Sequence, residues 1–314
     1  MEMKVASLFS GIGGIDLGFQ QAGFDIVWAN EIDKEACVTY RNNLDASILN
    51  ECDIKTINPH NIPNFDILVA GFPCQSFSIA GRKLGFKDPR GNLFFEISRF
   101  LDIKRPKIVF LENVANLIEH DNGKTFLVIY NTLAQFGYTV KYKVIDSQQY
   151  GNVPQTRKRI YIIGFQDYEM CAKFRFPGEI KLEKTLNDIF IRNKRHSECY
   201  YYNSSNFYYE DMLKKVKDKN YIYKINDDGV SSRKYNICPT LTANMGTFPD
   251  RVPIILDDFG IRRITPQECL LLQGFPDSYK FSGVSLNGAY KQCGNTVTVS
   301  VIKRIADQII KLYK

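Results

Sequence analysis

A thiol, a carboxylate and two guanidiniums stand in short segments that follow or open apolar runs. Residues 71–78 read GFPCQSFS and set Cys74 just after the apolar run 65–70, FDILVA. Gly71, Phe72 and Pro73 suit neither a helix nor a strand interior, so the thiol falls on a turn-prone loop. A thiolate becomes a nucleophile when a helix N-terminus or nearby cations lower its pKa, and Arg82, Lys83 and Arg90 follow in sequence. The alternative is an inert buried cysteine. LENV, residues 111–114, puts Glu112 at the end of another apolar run, 107–111. A glutamate after a strand is ordinary; one beside a nucleophilic thiol is not. VPQTRKR, residues 153–159, sets Arg157 and Arg159 two apart, on one side of an extended chain. They suit a phosphate or a base oxygen, or else a solvated basic hairpin.

A fourth segment, FSGIGG at 9–14, lies between a strand-like and a helix-like run. Glycines there let the backbone turn tightly and approach a ligand closely. It is not a full GxGxxG, because Asp16 stands where the last glycine would fall. Glu31 follows at the end of the second strand-like run, placed to bond ribose hydroxyls. NAD, FAD and S-adenosylmethionine all fit this pattern, as does a plain tight turn with a surface acid. Asp53 is a further acid that could meet an adenine amino group, or be a solvated loop residue.

These residues need a scaffold, and the chain alternates to supply one. Strands are expected at 4–10, 25–29, 66–70, 107–111, 139–145 and 159–165, and helices at 15–22, 34–44, 93–101 and 125–136. Alternation of this kind predicts a parallel or mixed sheet covered on both faces, with ligands at the carboxyl ends of the strands. Cys74 and Glu112 both fall there. From about 174 to 261 the chain turns polar, irregular and rich in tyrosine and lysine, which reads as a second, smaller domain. Its tyrosines suit either stacking and phosphate contact or a local core. From 262 regular patterning returns: TPQE at 265–268 looks like a helix start, and 299–313 carries Ile302, Ile305, Ile309 and Ile310 at helical spacing.

Composition narrows the class. The 314 residues are 44% hydrophobic and 24% charged, as in a soluble globular protein. No apolar run is long enough to cross a membrane, and the N-terminus lacks a signal-peptide layout, so a cytoplasmic protein is expected. Eight scattered cysteines without a CxxC argue against a zinc site and, in a reducing compartment, against disulfides. The net charge of +7 is a modest bias toward polyanions.

Thiol, acid, arginines and cofactor turn converge on one chemistry. Cytosine C5 is a poor nucleophile. Thiolate addition at C6 makes it enamine-like, and a carboxylic acid at N3 promotes that addition. A methyl group then passes to C5, and loss of the C5 proton with expulsion of the thiol restores the ring. A base stacked in a duplex must first be flipped out.

GFPCQSFS, LENV, QTRKR, the opening SLFSGIGG and the closing QCGNTVTVSVI resemble, in order, the motif set of bacterial DNA (cytosine-5)-methyltransferases of the type II restriction–modification and Dcm-like kind. The resemblance covers about 4–165 and 262–312. It implies an α/β, doubly wound, Rossmann-like domain that binds S-adenosylmethionine and releases S-adenosylhomocysteine, without a metal. That domain would be discontinuous, 1–174 plus 262–314, with a target-recognition domain inserted at 175–261. Cys74 would be the nucleophile, Glu112 would contact N3, Arg159 the flipped base, and Arg157 the catalytic loop or intermediate. Phe9, Gly11, Gly13, Gly14, Glu31, Ile32, Asp53, Ile54, Phe72, Leu93, Asn295 and Val297 would line the cofactor pocket. Gln75, Ser76, Ser78, Arg82 and Thr240 would face DNA, with 75–93 a loop closing over it. The implied partners are double-stranded DNA and a paired restriction endonuclease, and a monomer suffices.

Two positions depart from the family pattern. Ile32 replaces the aromatic residue that often stacks on adenine, and Ala80 stands where some relatives place a DNA-probing serine. The stretch through 244–247 is similar to enzymes reading CCGG-like or CCNGG-like sites. The competing readings are a tRNA cytosine-5 methyltransferase, a catalytically silent DNA-binding homologue and an NAD-dependent oxidoreductase. GFPC in place of PPC argues against the first, the intact catalytic set against the second, and the unexplained Cys74 and Glu112 against the third.

Overall fold

The computed structural model describes residues 3–73, 93–226, 228–232, 236–247 and 250–313. They form two compact units: 1–145, 158–177 and 302–314 make the first, and 146–157 and 178–301 the second. The segment 262–301 thus groups with the second unit, whereas the sequence reading sets it with the first.

In chain order the first part runs β1 (Lys4–Leu8), α1 (Gly14–Gln21), β2 (Asp25–Glu31), α2 (Lys34–Asn43), β3 (Leu49–Glu51), β4 (Ile67–Gly71), α3 (Leu93–Lys104), β5 (Ile108–Val114), α4 (Lys124–Gln135) and β6 (Thr139–Asp146). A one-turn helix α5 (Ser147–Tyr150), β7 (Lys158–Phe165) and α6 (Tyr168–Lys173) follow. The seven strands form one sheet in the order β3-β2-β1-β4-β5-β7-β6. The pairs β1–β2, β1–β4, β2–β3 and β4–β5 are parallel, and β5–β7 is antiparallel. The strand order reverses between β1 and β4, the crevice where such sheets bind ligands.

The central strands are legible because they are buried on both faces, so they read as unbroken apolar runs rather than alternating ones. On one face Leu8, Leu68, Ala70, Val109, Leu111, Ile160 and Ile162 pack with Phe94, Ile97 and Phe100 of α3 and Ile129 and Leu133 of α4. On the other, Phe19 of α1 meets Phe110 edge-on with ring centroids 5.3 Å apart. Gly18 lets α1 lie against the C-terminal helix, where an added Cβ would come within 2.5 Å of Ile302 Cγ2. The α2 start is fixed by Asp33, whose carboxylate accepts from the Glu35 and Ala36 amides.

The second unit adds α7 (Tyr209–Lys215), β8 (Tyr223–Asn226), β9 (Gly229–Ser232), β10 (Ile254–Leu256), β11 (Ile261–Arg263), α8 (Pro266–Leu272) and α9 (Leu286–Asn295), with α10 (Val299–Ile310) leading back to the first unit. Four strands make a sheet in the order β11-β10-β8-β9. Met212, Val216, Tyr223, Ile225, Val230, Ile254 and Ile261 form its core, with Tyr202, Tyr208 and Tyr221 against it. Those tyrosines therefore serve the local core. The start of α8 is as its sequence predicts: Thr265 and Glu268 form a reciprocal capping box, with Pro266 in the first turn. A fully buried Arg262 beside it reaches Asp257 at 2.8 Å and Glu268 at 2.7 Å.

Candidate active site

The register of the first sheet places the acid. Gly71, the last residue of β4, pairs with Glu112 on β5. Glu112 is buried, and an added Cβ at Gly71 would lie 3.5 Å from its Oε2. Across the antiparallel pair, Val114 faces Arg159, and Arg159 Nε reaches back to Glu112 Oε1 at 3.2 Å. Both side chains are nearly buried, so this ion pair is little screened by solvent. The next residue, Asn113, donates from Nδ2 to the Phe72 carbonyl at 2.9 Å, and the Phe72 ring packs 5.8 Å from that of Phe94. The chain leaving β4 is thus pinned on both sides one residue before Pro73. Cys74, Gln75, Ser76, Ser78 and Arg82, with the whole loop expected to close over DNA up to residue 92, lie outside the described residues. Asn113 went unremarked in the sequence reading, although it stands inside LENV.

The glycine turn follows β1 at the strand-order reversal. Phe9, Gly11 and Gly13 have φ of 55°, 57° and 77°. A left-handed Phe9 is rarely tolerated and marks a backbone held in place by its surroundings. Gly13 is required twice over, because a Cβ there would stand 2.2 Å from Leu44 Cδ1. Gly11 differs: among the described residues nothing lies within 4 Å of its absent Cβ, so toward them the turn presents bare backbone. Glu31 at the end of β2 accepts from the Gly11 amide at 2.8 Å through Oε2 and from the Ile32 and Asp33 amides through Oε1. Three donors fix the carboxylate and leave about one lone-pair site, on Oε2, for a ligand hydroxyl. Ile32 is 61% exposed, an apolar face without cover. Asp53 follows β3 and caps the turn at Ile54–Thr56 with Oδ1 accepting from Lys55. Gly14 and Ile54 are buried, and Leu93 opens α3 half-buried. The expected cofactor residues from Phe9 to Phe72 follow the carboxyl ends of β1 to β4, and Leu93 opens α3; bare glycine backbone, the Glu31 carboxylate and the apolar Ile32 are groups that could hold a nucleoside.

Asp16 is a residue the sequence reading noted only as a missing glycine. It sits in the first turn of α1, wholly buried, and accepts from Ser7 Oγ at 2.5 Å and Tyr40 OH at 2.8 Å. It ties β1, α1 and α2 together beneath the glycine turn. Burial pushes its carboxyl up to about 6, against smaller downward pulls from the Ser7 and Tyr40 hydroxyls. An acid in the first helical turn is ordinary in sequence, so nothing there marks it.

The other motif residues lie in the second unit. Arg157 is 1% exposed. Its guanidinium donates to the carbonyls of Leu241 at 2.9 Å, Gly294 at 3.1 Å and Thr296 at 2.5 Å. The two arginines of QTRKR thus part ways, one toward Glu112 and the other into main-chain carbonyls. Thr240 donates from Oγ1 to the Thr156 carbonyl at 2.6 Å, so its proton is already engaged. A phosphate oxygen, which only accepts, would have to take that proton or turn to the amide. Asn295 is exposed and Val297 buried, each flanked by residues that Arg157 or Ser147 holds.

Of the seven described cysteines all are free; five are buried, Cys52 is half-buried and Cys199 exposed. Among the described residues, no group of three His, Cys, Asp or Glu side chains is arranged to hold a metal, and no helix is long and apolar enough to cross a membrane.

A family model described as C-5 cytosine-specific DNA methylase matches residues 3–311. The chain is 44% identical over 312 residues to the type II methyltransferase M.Bsp6I of Bacillus sp. (strain RFL6), covering 98% of this chain and 99% of that one. It is 41% identical over 303 residues to the type II methyltransferase M.NgoBI of Neisseria gonorrhoeae, covering 96% and 90%. Its fold is similar to the crystal structure of a mutant DNMT2 from Spodoptera frugiperda, with a TM-score of 0.76, 22% identity and coverage of 98% of this chain and 100% of that one.

Proposed function

The chain belongs to the C-5 cytosine-specific DNA methylase family, and on that premise we propose that it methylates a cytosine flipped from a short duplex DNA site through a covalent bond from Cys74 to C6. The observation that carries this reading is the pairing of Gly71 with Glu112, which sets a nearly buried, arginine-paired carboxylate at the strand edge from which the Cys74 segment departs.

The addition step falls to named groups. The Cys74 thiolate adds to C6, and electron density moves toward C5. Glu112 must carry a proton as the base arrives, because an ionised carboxylate only accepts; its O–H then donates to N3 and offsets the charge that thiolate addition puts on the ring. Arg159, held by Nε against Glu112 and by Nη1 on the Lys158 carbonyl, would turn its remaining N–H groups to the base oxygen. C5 then takes the methyl group, a base removes the C5 proton, and the C6–S bond breaks to return the thiolate. The family uses S-adenosylmethionine, which when bound supplies an electrophilic methyl on its sulfonium. Phe9, Gly11, Gly13 and Gly14 would hold it by backbone, Glu31 by its ribose hydroxyls, Ile32, Ile54, Phe72 and Leu93 by apolar packing, and Asp53 by its adenine amino group. The resemblance assigns Asn295 and Val297 of the C-terminal motif to the cofactor as well. S-adenosylhomocysteine would be the product.

We assign 75–92, including Gln75, Ser76, Ser78 and Arg82, and the region 175–261 with Thr240 to DNA contact, the latter as the target-recognition domain. The type II names of the relatives support a role as the modification half of a restriction–modification pair; a cytoplasmic monomer is our reading from the sequence alone. The test is covalent trapping on a duplex in which 5-fluorocytosine replaces cytosine, since fluorine at C5 blocks the proton loss. Wild-type protein with S-adenosylmethionine should migrate as a denaturation-resistant adduct, and Cys74→Ser should form none. Full turnover by Cys74→Ser would sink the covalent mechanism.

A further inference from the structure

Arg157 joins two segments that the proposed function assigns to different ligands. Leu241 follows Thr240 on the side assigned to DNA. Gly294 and Thr296 flank Asn295 on the side assigned to the cofactor. One guanidinium, buried to 1% exposure, donates to all three carbonyls. A second connection runs beside it. Gln155, fully buried, accepts from the Leu241 amide at 3.2 Å and donates to the Leu272 carbonyl at 2.8 Å and Gln273 Oε1 at 3.2 Å. Gln273, also fully buried, donates to the Cys293 carbonyl at 3.0 Å and accepts from Thr298 Oγ1 at 3.1 Å. The two segments also touch directly. A Cβ on Gly294 would fall 2.1 Å from the Thr242 carbonyl carbon and 2.4 Å from the Ala243 amide nitrogen, both main-chain atoms.

We propose that Arg157 is a positioning residue that couples cofactor binding to DNA binding, by holding the 240–242 and 294–297 segments as one body. The physical ground is the cost of parting them. A shift at 294–297 that Leu241 did not follow would strip a buried, charged donor of an acceptor. It would also open the close backbone packing at Gly294. Ligand contact at either segment therefore fixes the other. Linkage makes the effect reciprocal. The inference rests on the function proposed above, which assigns the two ligands.

The test is a thermodynamic cycle with S-adenosylhomocysteine and a short duplex cut around a site that the wild-type protein methylates. Duplex affinity is measured with and without S-adenosylhomocysteine for wild type and Arg157→Lys. The lysine keeps the charge but cannot span three carbonyls. The wild type should bind the duplex about 5- to 150-fold more tightly with S-adenosylhomocysteine present, and Arg157→Lys should bring that factor to within about twofold of one. A residue that merely stabilised the fold would weaken both affinities and leave the factor intact, and that result overturns the proposal. So does a wild-type factor of one. A second readout needs no variant: S-adenosylhomocysteine alone should slow hydrogen exchange at the Leu241 amide, and unchanged exchange there counts equally against coupling. A wild-type protein that methylates no DNA would remove the functional reading instead, and this inference with it.

Discussion

Asp16→Asn should flatten a pH dependence of stability that the wild-type protein carries. The buried carboxyl has an ordinary value of 3.8, and burial raises it to about 6 in the fold. Its protonated form is therefore the one the fold prefers. The stabilisation is fully present below 3.8 and is lost as the pH rises through about 6. The full span is about 3 kcal/mol, at about 1.4 kcal/mol per pH unit. Between pH 7.5 and 5 the wild type should gain about 1.4 kcal/mol from this group, because most of the titration near 6 is complete by pH 5 while the unfolded chain is still ionised. Other acids pull the opposite way, since hydrogen bonds and Lys107 hold Asp66 low and Thr185 holds Asp188 low. The difference between variant and wild type is the informative quantity. Asparagine keeps an acceptor for Ser7 or Tyr40 and carries no charge. Urea unfolding of both proteins at pH 7.5, 6 and 5, with equal slopes, reads the difference directly. The wild type should gain about 1.4 kcal/mol on the variant across that range. Parallel stability curves would refute the argument that burial beneath the glycine turn raises this acid.

Other substitutions follow from the same geometry. Gly11→Ala meets none of the described residues within 4 Å, so against them it should cost only the left-handed backbone penalty of about 1–2 kcal/mol; calorimetry should nonetheless show S-adenosylhomocysteine binding weakened more than about tenfold, and unchanged binding would remove the turn from the cofactor site. Glu112→Gln should lower kcat about 10²- to 10⁴-fold with S-adenosylhomocysteine affinity unaltered, and a loss confined to cofactor binding would contradict its role at the base. Arg262→Ala should cost about 3–5 kcal/mol in urea unfolding, because it strands Asp257 and Glu268 in the core; a change below 1 kcal/mol, on the order of an exposed pair, would show that solvent reaches them.

Much of the first unit can be read from the chain because its information is local. After Asp66 and Lys107, residues 67–70 and 108–111 are apolar on both faces, and the structure has strands at Ile67–Gly71 and Ile108–Val114. The glycine turn and Glu31 are legible because tight turns demand particular residues. The short parallel strand Leu49–Glu51 is not, since half-buried Leu49 and Asn50 and exposed Glu51 carry no period. The same holds for the second sheet, whose strands are three or four residues long and sit among polar turns. Arg157 and Arg159 look equivalent in sequence. Their partners separate them, and those partners are main-chain carbonyls up to 139 residues away for Arg157 and a side chain on a neighbouring strand for Arg159. No spacing rule encodes a distant carbonyl. Asp16 is hidden for a related reason, because its burial depends on Tyr40 closing over it from α2.

The central claim is cytosine-5 methylation of duplex DNA, and base-resolution sequencing tests it most directly. Purified protein is incubated with S-adenosylmethionine and unmethylated phage DNA, and every cytosine is then scored for 5-methylcytosine. Methylation should be confined to one short motif. S-adenosylmethionine binding with no 5-methylcytosine anywhere in the DNA would contradict the claim.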